Sequence, residues 1–220
     1  MNDDEAELLN FGGVARLFPL PSLVLFPHTV QPLHIFEPRY RDMTADALAD
    51  DRLIAMVLHQ PGWEKDYDGR PNIHEVACLG RVIADQRLPD GRYNLLLQGI
   101  ARVRILAERA DDKRYRTAEV ELMPDSAPPK DEAALRSRLA ELVLARFGTG
   151  EQERRHLETM FASDLSLGAM CDVLGFALPL TLDHKQALLK VSSVAARVAS
   201  LIGTFAPPAT PRFPPEFSAN

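Results

Sequence analysis

The period of the apolar positions changes once along this 220-residue chain, near residue 123. Before that point apolar residues come in short runs or strict alternation, the pattern of strands. Beyond it they recur every three or four residues, the pattern of helices. The most distinctive stretch, Leu17 to Tyr40, reads LFPLPSLVLFPHTVQPLHIFEPRY, with prolines at 19, 21, 27, 32 and 38. Each proline lacks a backbone donor and biases its predecessor towards extended geometry, so a long helix is excluded. Two short strands are expected, 22–26 and 30–35, joined by a turn at Phe26-Pro27-His28-Thr29. Pro38 then suits the first turn of a helix carrying Tyr40, Met43, Ala47 and Leu48 at helical spacing.

A strand is expected over Arg52 to His59, followed by a long polar loop from Gln60 to Glu75. Trp63 and Tyr67 stand out in that loop, because aromatic side chains on loops serve either as binding anchors or as a lid on the core. Val76 to Arg87 reads as a strand bent at Gly80, and Pro89-Asp90-Gly91 as a hairpin turn into Arg92 to Leu97. After Gly99, residues Ala101, Val103 and Ile105 alternate with Arg102 and Arg104, which predicts a strand with one wet face. Arg116 to Leu122 is the last strand. The proline-rich segment MPDSAPPK over 123–130 is the expected boundary. Helices are expected over about 131–147, around Leu157 to Phe161, over 165–174, after Asp183, and from Ser193 to Phe205. The fold class is therefore α+β. Its expected organisation is a mobile lead-in (1–13), a β unit (14–123), a linker (124–130), a helical bundle (131–205) and a flexible tail (206–220).

Several motifs also carry a resemblance. Phe18-Pro19-Leu20, Val24-Leu25-Phe26-Pro27, Pro32-Leu33 and Phe36-Glu37-Pro38-Arg39-Tyr40 are similar to the N-terminal substrate-binding (LON) domain of ATP-dependent Lon proteases, in its stand-alone form. Leu88-Pro89-Asp90-Gly91-Arg92, Leu97-Gln98-Gly99 and Arg102-Val103-Arg104-Ile105 extend it. Weaker matches follow in His184-Lys185-Gln186, Leu188-Leu189 and Arg197. The resemblance implies a PUA-like β pseudo-barrel followed by an α-helical subdomain. It also implies a non-catalytic module that binds unfolded or tagged polypeptides, in the further form of an adaptor that docks a protease.

Composition changes this picture little. With 46% hydrophobic and 25% charged residues, the chain is ordinary for a soluble globular protein. Cys78 and Cys171 have no metal-like spacing and read as reduced thiols. Met1 to Glu7 is acidic and unlike a signal peptide, and no apolar run approaches the ~20 residues that span a bilayer, so a cytoplasmic location is expected. The net charge of −6 resides in the first 125 residues, with 15 basic against 21 acidic side chains. Arg102, Arg104, Arg109, Lys113, Arg114 and Arg116 form a local basic run, diluted by Glu108, Asp111 and Asp112, which supplies the alternative of an RNA-binding PUA-like domain.

Catalytic signals are lacking in the sequence. It contains no GxxxxGK[ST] loop, no GxSxG elbow and no HExxH pair, and it ends before a Lon ATPase or peptidase domain could begin. No enzyme activity, cofactor or metal is expected. A polypeptide site would be an apolar groove or a free strand edge, for which Phe36, Tyr40, Trp63 and Tyr67 are the candidate lining. Leu23, Leu25, Leu95 and Val103 are expected in the core.

Overall fold

A computed structural model describes residues 8, 11–66 and 69–206. Its six strands form one sheet: β1 (Val14–Leu20), β2 (Val30–Ile35), β3 (Leu53–Leu58), β4 (Val76–Arg87), β5 (Tyr93–Glu108) and β6 (Arg116–Leu122). The order is β2-β5-β4-β3-β1-β6, and β5 also pairs with β6, so five strands close a ring while β2 hangs from β5 as an end strand. β1 and β3 run parallel; the other pairs are antiparallel.

Period-two alternation divides the ring's side chains between two cores. Leu17, Leu53, Ala55, Val57, Ala77, Leu79, Val103 and Val120 fill the barrel interior. Ile54, Met56, Leu58, Val76, Cys78 and Val82 face outward into a second core. This two-sided burial explains why β3 is an unbroken apolar run. The outer core continues from Phe18 and Phe26 into Leu139, Met170, Leu188 and Leu201 of the helices. These helices are α2 (Glu132–Phe147), α3 (Glu151–Phe161), α4 (Leu167–Ala177), α5 (Leu182–Leu189) and α6 (Val194–Phe205); α1 (Pro38–Ala49) packs beside β1. Pro38 sits in the first turn of α1, and Ser193 caps α6 by accepting from Ala196 N. α5 is capped by Thr181, leaving Asp183 in its first turn.

The expected strand at 22–26 is not one; the first strand is Val14–Leu20, and it carries Pro19. Val24, Leu25 and Phe26 are buried as irregular chain between Pro21 and Pro27, an apolar plug rather than a ladder. Composition registers burial and is blind to hydrogen-bond partners, so the plug resembled a strand. The turn that follows is as expected, with His28 at φ 64° and Thr29 Oγ1 donating to the Phe26 carbonyl at 2.6 Å. The expected lead-in and tail fall mostly on residues outside those described.

At Gly99 the long strand β5 switches faces. The pairs Leu79↔Ala101 and Gly80↔Gly99 leave Ile100 as an inserted residue, a bulge at the predicted Gly80 bend. Odd-numbered residues before it, Leu95 and Leu97, face the outer core, whereas Val103 beyond it faces the barrel. The same switch turns Arg102 towards the outer core and the helices. Expected on a wet face, Arg102 is 3% exposed.

Arg102 there enters a buried charge cluster that ties the barrel to the helices. Its Nε donates to Leu189 O at 3.0 Å, and its guanidinium grips both oxygens of Asp172 on α4 and Oδ1 of Asp125 in the linker. Arg197 on α6 pairs with Asp125 and donates to Val191 O at 2.8 Å. Burial pushes the Asp172 carboxyl up, and Arg102 and Arg197 pull against it. Gln186 adds a buried bond from α5 to Val76 O of β4, at 2.9 Å.

Two histidines lie where the 60–75 loop meets β3, and His74 N donates to Leu58 O at 2.9 Å. His59 bridges to Ile73 and stacks on Trp63 at 5.6 Å, and its Nδ1 is buried with no hydrogen-bond partner among the described residues. Burial lowers the pKa of both His59 and His74. The unfolded chain then binds protons more readily than the fold, so their contribution is complete above about pH 6.5 and is lost as pH falls below it. The melting temperature is expected to decline as pH falls from about 6.5 to about 5.5, a range where carboxylates of ordinary pKa stay ionised. A His59→Asn variant should show a shallower decline, and an unchanged slope would contradict this assignment.

Candidate functional site

β2, the first half of β5 and the second half of β4 form a three-stranded wing whose inner face packs on the outer core through Ile35, Tyr93, Leu95 and Leu97. Its outer face is open to solvent and concave, with a trough of about 470 Å³. Ligand pockets span ~300–1,000 Å³, so this one accommodates a few side chains. Strand register arranges the floor in two rows. Pro32, Leu96 and Ala84 lie across the three strands in one row, and His34, Asn94 and Gln86 in the next.

The two rows differ chemically. In the polar row, His34 Nδ1–H donates to Asn94 Oδ1 at 2.7 Å, and Asn94 Nδ2 donates to Gln86 Oε1 at 3.3 Å. Arg92 Nη1 lies 3.3 Å from His34 Nε2, which assigns that nitrogen as the acceptor. These side chains thus spend much of their hydrogen-bonding capacity on one another. The apolar row is flanked by more exposed hydrocarbon. Ile83 is the residue bulged out between the pairs Val82↔Leu97 and Ala84↔Leu96, and it is exposed. Phe36, 59% exposed, stacks on His34 with centroids 6.3 Å apart. Apolar side chains gathered on an exposed face mark interaction sites more often than scattered ones do.

The four aromatic candidates are placed differently from one another. Phe36 adjoins the trough. Tyr40 is 6% exposed and packs edge-to-face on Phe18 at 4.6 Å, with the Arg39 guanidinium over its ring. It edges a separate recess with Arg70, Lys113 and Arg114. Trp63 lies half-buried in a 3-10 turn (Trp63–Asp66) at the start of the loop, and Tyr67 lies outside the described residues. Of the expected core residues, Leu25, Leu95 and Val103 are buried, and Leu23 packs partly buried against the outer core.

Leu96 and Ile83 were missed by sequence reasoning, though a signal for Leu96 existed. In Tyr93 to Gln98, Asn94 and Gln98 mark the polar register, and Leu96 is the apolar residue standing in it. Ile83 had no such signal, because its exposure follows from a bulge that only strand pairing reveals.

Three members of the basic run are engaged by carboxylates. Arg102 is consumed in the buried cluster, and Arg116 is occupied by Glu108 and by Pro71 O. Lys113 pairs with Asp46 at 2.6 Å. Burial pushes the Cys171 thiol up to about 12 and the Cys78 thiol higher than its ordinary value, so both stay protonated and unreactive. Among the described residues no group of His, Cys, Asp or Glu could hold a metal ion, and no helix is long and apolar enough to cross a membrane.

A family model described as the ATP-dependent protease La (LON) substrate-binding domain matches residues 14–204. A Lon protease of Xanthomonas oryzae is 26% identical over 189 residues, which cover 85% of this chain and 22% of that protein. A Lon protease 2 of Syntrophobacter fumaroxidans is 29% identical over 170 residues, covering 70% and 21%. The chain thus spans less than a quarter of the length of these relatives. Among solved structures, the N-terminal domain of a Mycobacterium avium complex Lon protease superimposes with a TM-score of 0.68 at 18% identity, covering 86% of this chain and 96% of that one. A Lon N-terminal domain protein from Xanthomonas campestris gives 0.63 at 22%, covering 88% and 99%. At these identities the likeness shows a shared fold.

Proposed function

The chain belongs to the LON substrate-binding domain family, matched over residues 14–204, and on that premise we propose that it is a non-catalytic polypeptide-recognition module whose site is the wing trough. The observation that carries this reading is the solvent-facing apolar row Pro32–Leu96–Ala84, flanked by exposed Ile83 and Phe36. An apolar surface of this kind has a use if the ligand presents hydrocarbon, as an unfolded or tagged polypeptide does. Phe36 is the candidate aromatic that this reading keeps at the site. In a finer form, the module delivers captured chains to a protease, its helical half docking the partner. The compensation of Arg102, Arg116 and Lys113 by buried or neighbouring carboxylates argues against the RNA-binding alternative, which needs cations free to neutralise phosphate.

Leu96→Asp tests the reading. Leu96 is 38% exposed, so the fold should lose about 0.5 kcal/mol or less. Affinity for an unfolded, fluorescently labelled model protein is expected to fall about tenfold or more by anisotropy, equivalent to about 1.4 kcal/mol. Unchanged affinity in a folded variant would remove the trough from the site. Turnover of the labelled protein without nucleotide, blocked by a serine or cysteine reagent, would remove the non-catalytic part.

A further inference from the structure

The wing presents a ligand with two kinds of handle, the backbone edge of β2 and the side-chain trough beside it. Gly99 N donates to Thr29 O at 2.8 Å, which sets the ladder's phase. Gln31, Leu33 and Ile35 then hold the hydrogen-bonded positions against β5, and the polar backbone groups of Val30, Pro32 and His34 point to the free edge. At the centre of that edge Pro32 has no N–H to donate, and its carbonyl already accepts from Gln31 Nε2 at 2.7 Å. An incoming strand would meet no donor at its middle register, and an acceptor already engaged by a side-chain amide. Proline on an edge strand is a common block to strand addition, and here a side-chain amide adds to it by competing for the carbonyl.

The trough face is open by contrast. Its polar row is bonded side to side, and the flanking charges are paired: Arg52 with Asp85 at 2.7 Å and Arg92 with Asp90 at 2.6 Å. What it offers a ligand is mainly hydrocarbon, on Pro32, Ala84 and Leu96 of its floor, with exposed Ile83 and Phe36 beside it. Resting on the polypeptide reading above, we infer that the trough takes bulky apolar side chains from an unfolded segment held off the sheet, and that the β2 edge is closed to strand addition. Recognition is then independent of the ligand's backbone N–H groups and little affected by salt.

Three labelled peptides separate the two modes. The parent carries one central Phe in a polar Gly/Ser/Thr background, the second adds N-methyl groups on the residues flanking that Phe, and the third replaces the Phe with Ala. Against the full chain, N-methylation should change affinity by less than about threefold and Phe-to-Ala should lower it about tenfold or more. A Gln31→Ala variant, which uncaps the Pro32 carbonyl, should bind the parent as the unmodified protein does. If N-methylation abolishes binding while Phe-to-Ala does not, this mode is overturned and the polypeptide reading stands. A parent peptide that fails to bind at all overturns both.

Discussion

Asp172→Ala is expected to destabilise the fold by about 3–5 kcal/mol, because it leaves two buried guanidiniums facing one carboxylate. In the native cluster Arg102 and Arg197 balance Asp172 and Asp125, and both arginines and Asp172 are almost wholly excluded from water. Removing Asp172 strips Arg102 of its two-oxygen partner and leaves a net buried positive charge between barrel and bundle. For a chain of this size the melting temperature should fall by about 6–20 °C. The double change Arg102→Met with Asp172→Leu leaves the Arg197–Asp125 pair intact, and it should be less damaging than Asp172→Ala alone, since a buried ion pair is often replaceable by hydrocarbon as a unit. Urea denaturation of the two variants decides the matter: a single change costing under about 1 kcal/mol would show that the cluster is not a structural tie.

Gly99→Ala should be the next most damaging change. A Cβ at position 99 would overlap the Phe26 carbonyl oxygen, lying 2.8 Å from its carbon and 3.0 Å from Cys78 Sγ. Backbone atoms cannot swing aside as a side-chain end can. The plug at 24–26 would have to lift from β5, breaking the bond from His28 N to Gly99 O. Overpacking of this kind costs typically about 1–3 kcal/mol, and a backbone clash belongs at the upper end. Gly203→Ala is the control: it sits exposed on α6 with nothing within 4 Å of the new methyl, and it should gain about 0.5–1 kcal/mol from helix propensity. A Gly99→Ala protein that melts with the native one would mean that the plug packs elsewhere.

The halves of the chain were unequally legible. Helices α2 to α6 follow from a 3.6-residue period that is local to each segment, and the Ser193 cap and the Pro38 start follow from backbone chemistry local to one turn. Strand β4 and the turn at Gly91, with φ 82°, were equally local. The plug was not, because a buried coil and a buried strand differ only in what their backbones bond to. Nor was Arg102, whose side changed with a one-residue bulge that alternation alone does not reveal.

Sequence by itself determined the class of the chain: a proline-punctuated stretch, a change of period near residue 123, and motifs that resemble one domain family. These are properties of neighbours along the chain. It even contained Gln186 and Arg197 among its weaker family-like residues, without indicating that Gln186 ties α5 to the barrel or that Arg197 ties α6 to Asp125. Tertiary structure alone decided which side chains gather on one open face. The rows Pro32–Leu96–Ala84 and His34–Asn94–Gln86 join residues from three strands, and their order depends on register and on the bulge at Ile83. It also placed Tyr40 in the core and Phe36 at the surface, four residues apart, because the turn into α1 separates their directions. Pairing across strands sets such a surface, and no local period encodes it.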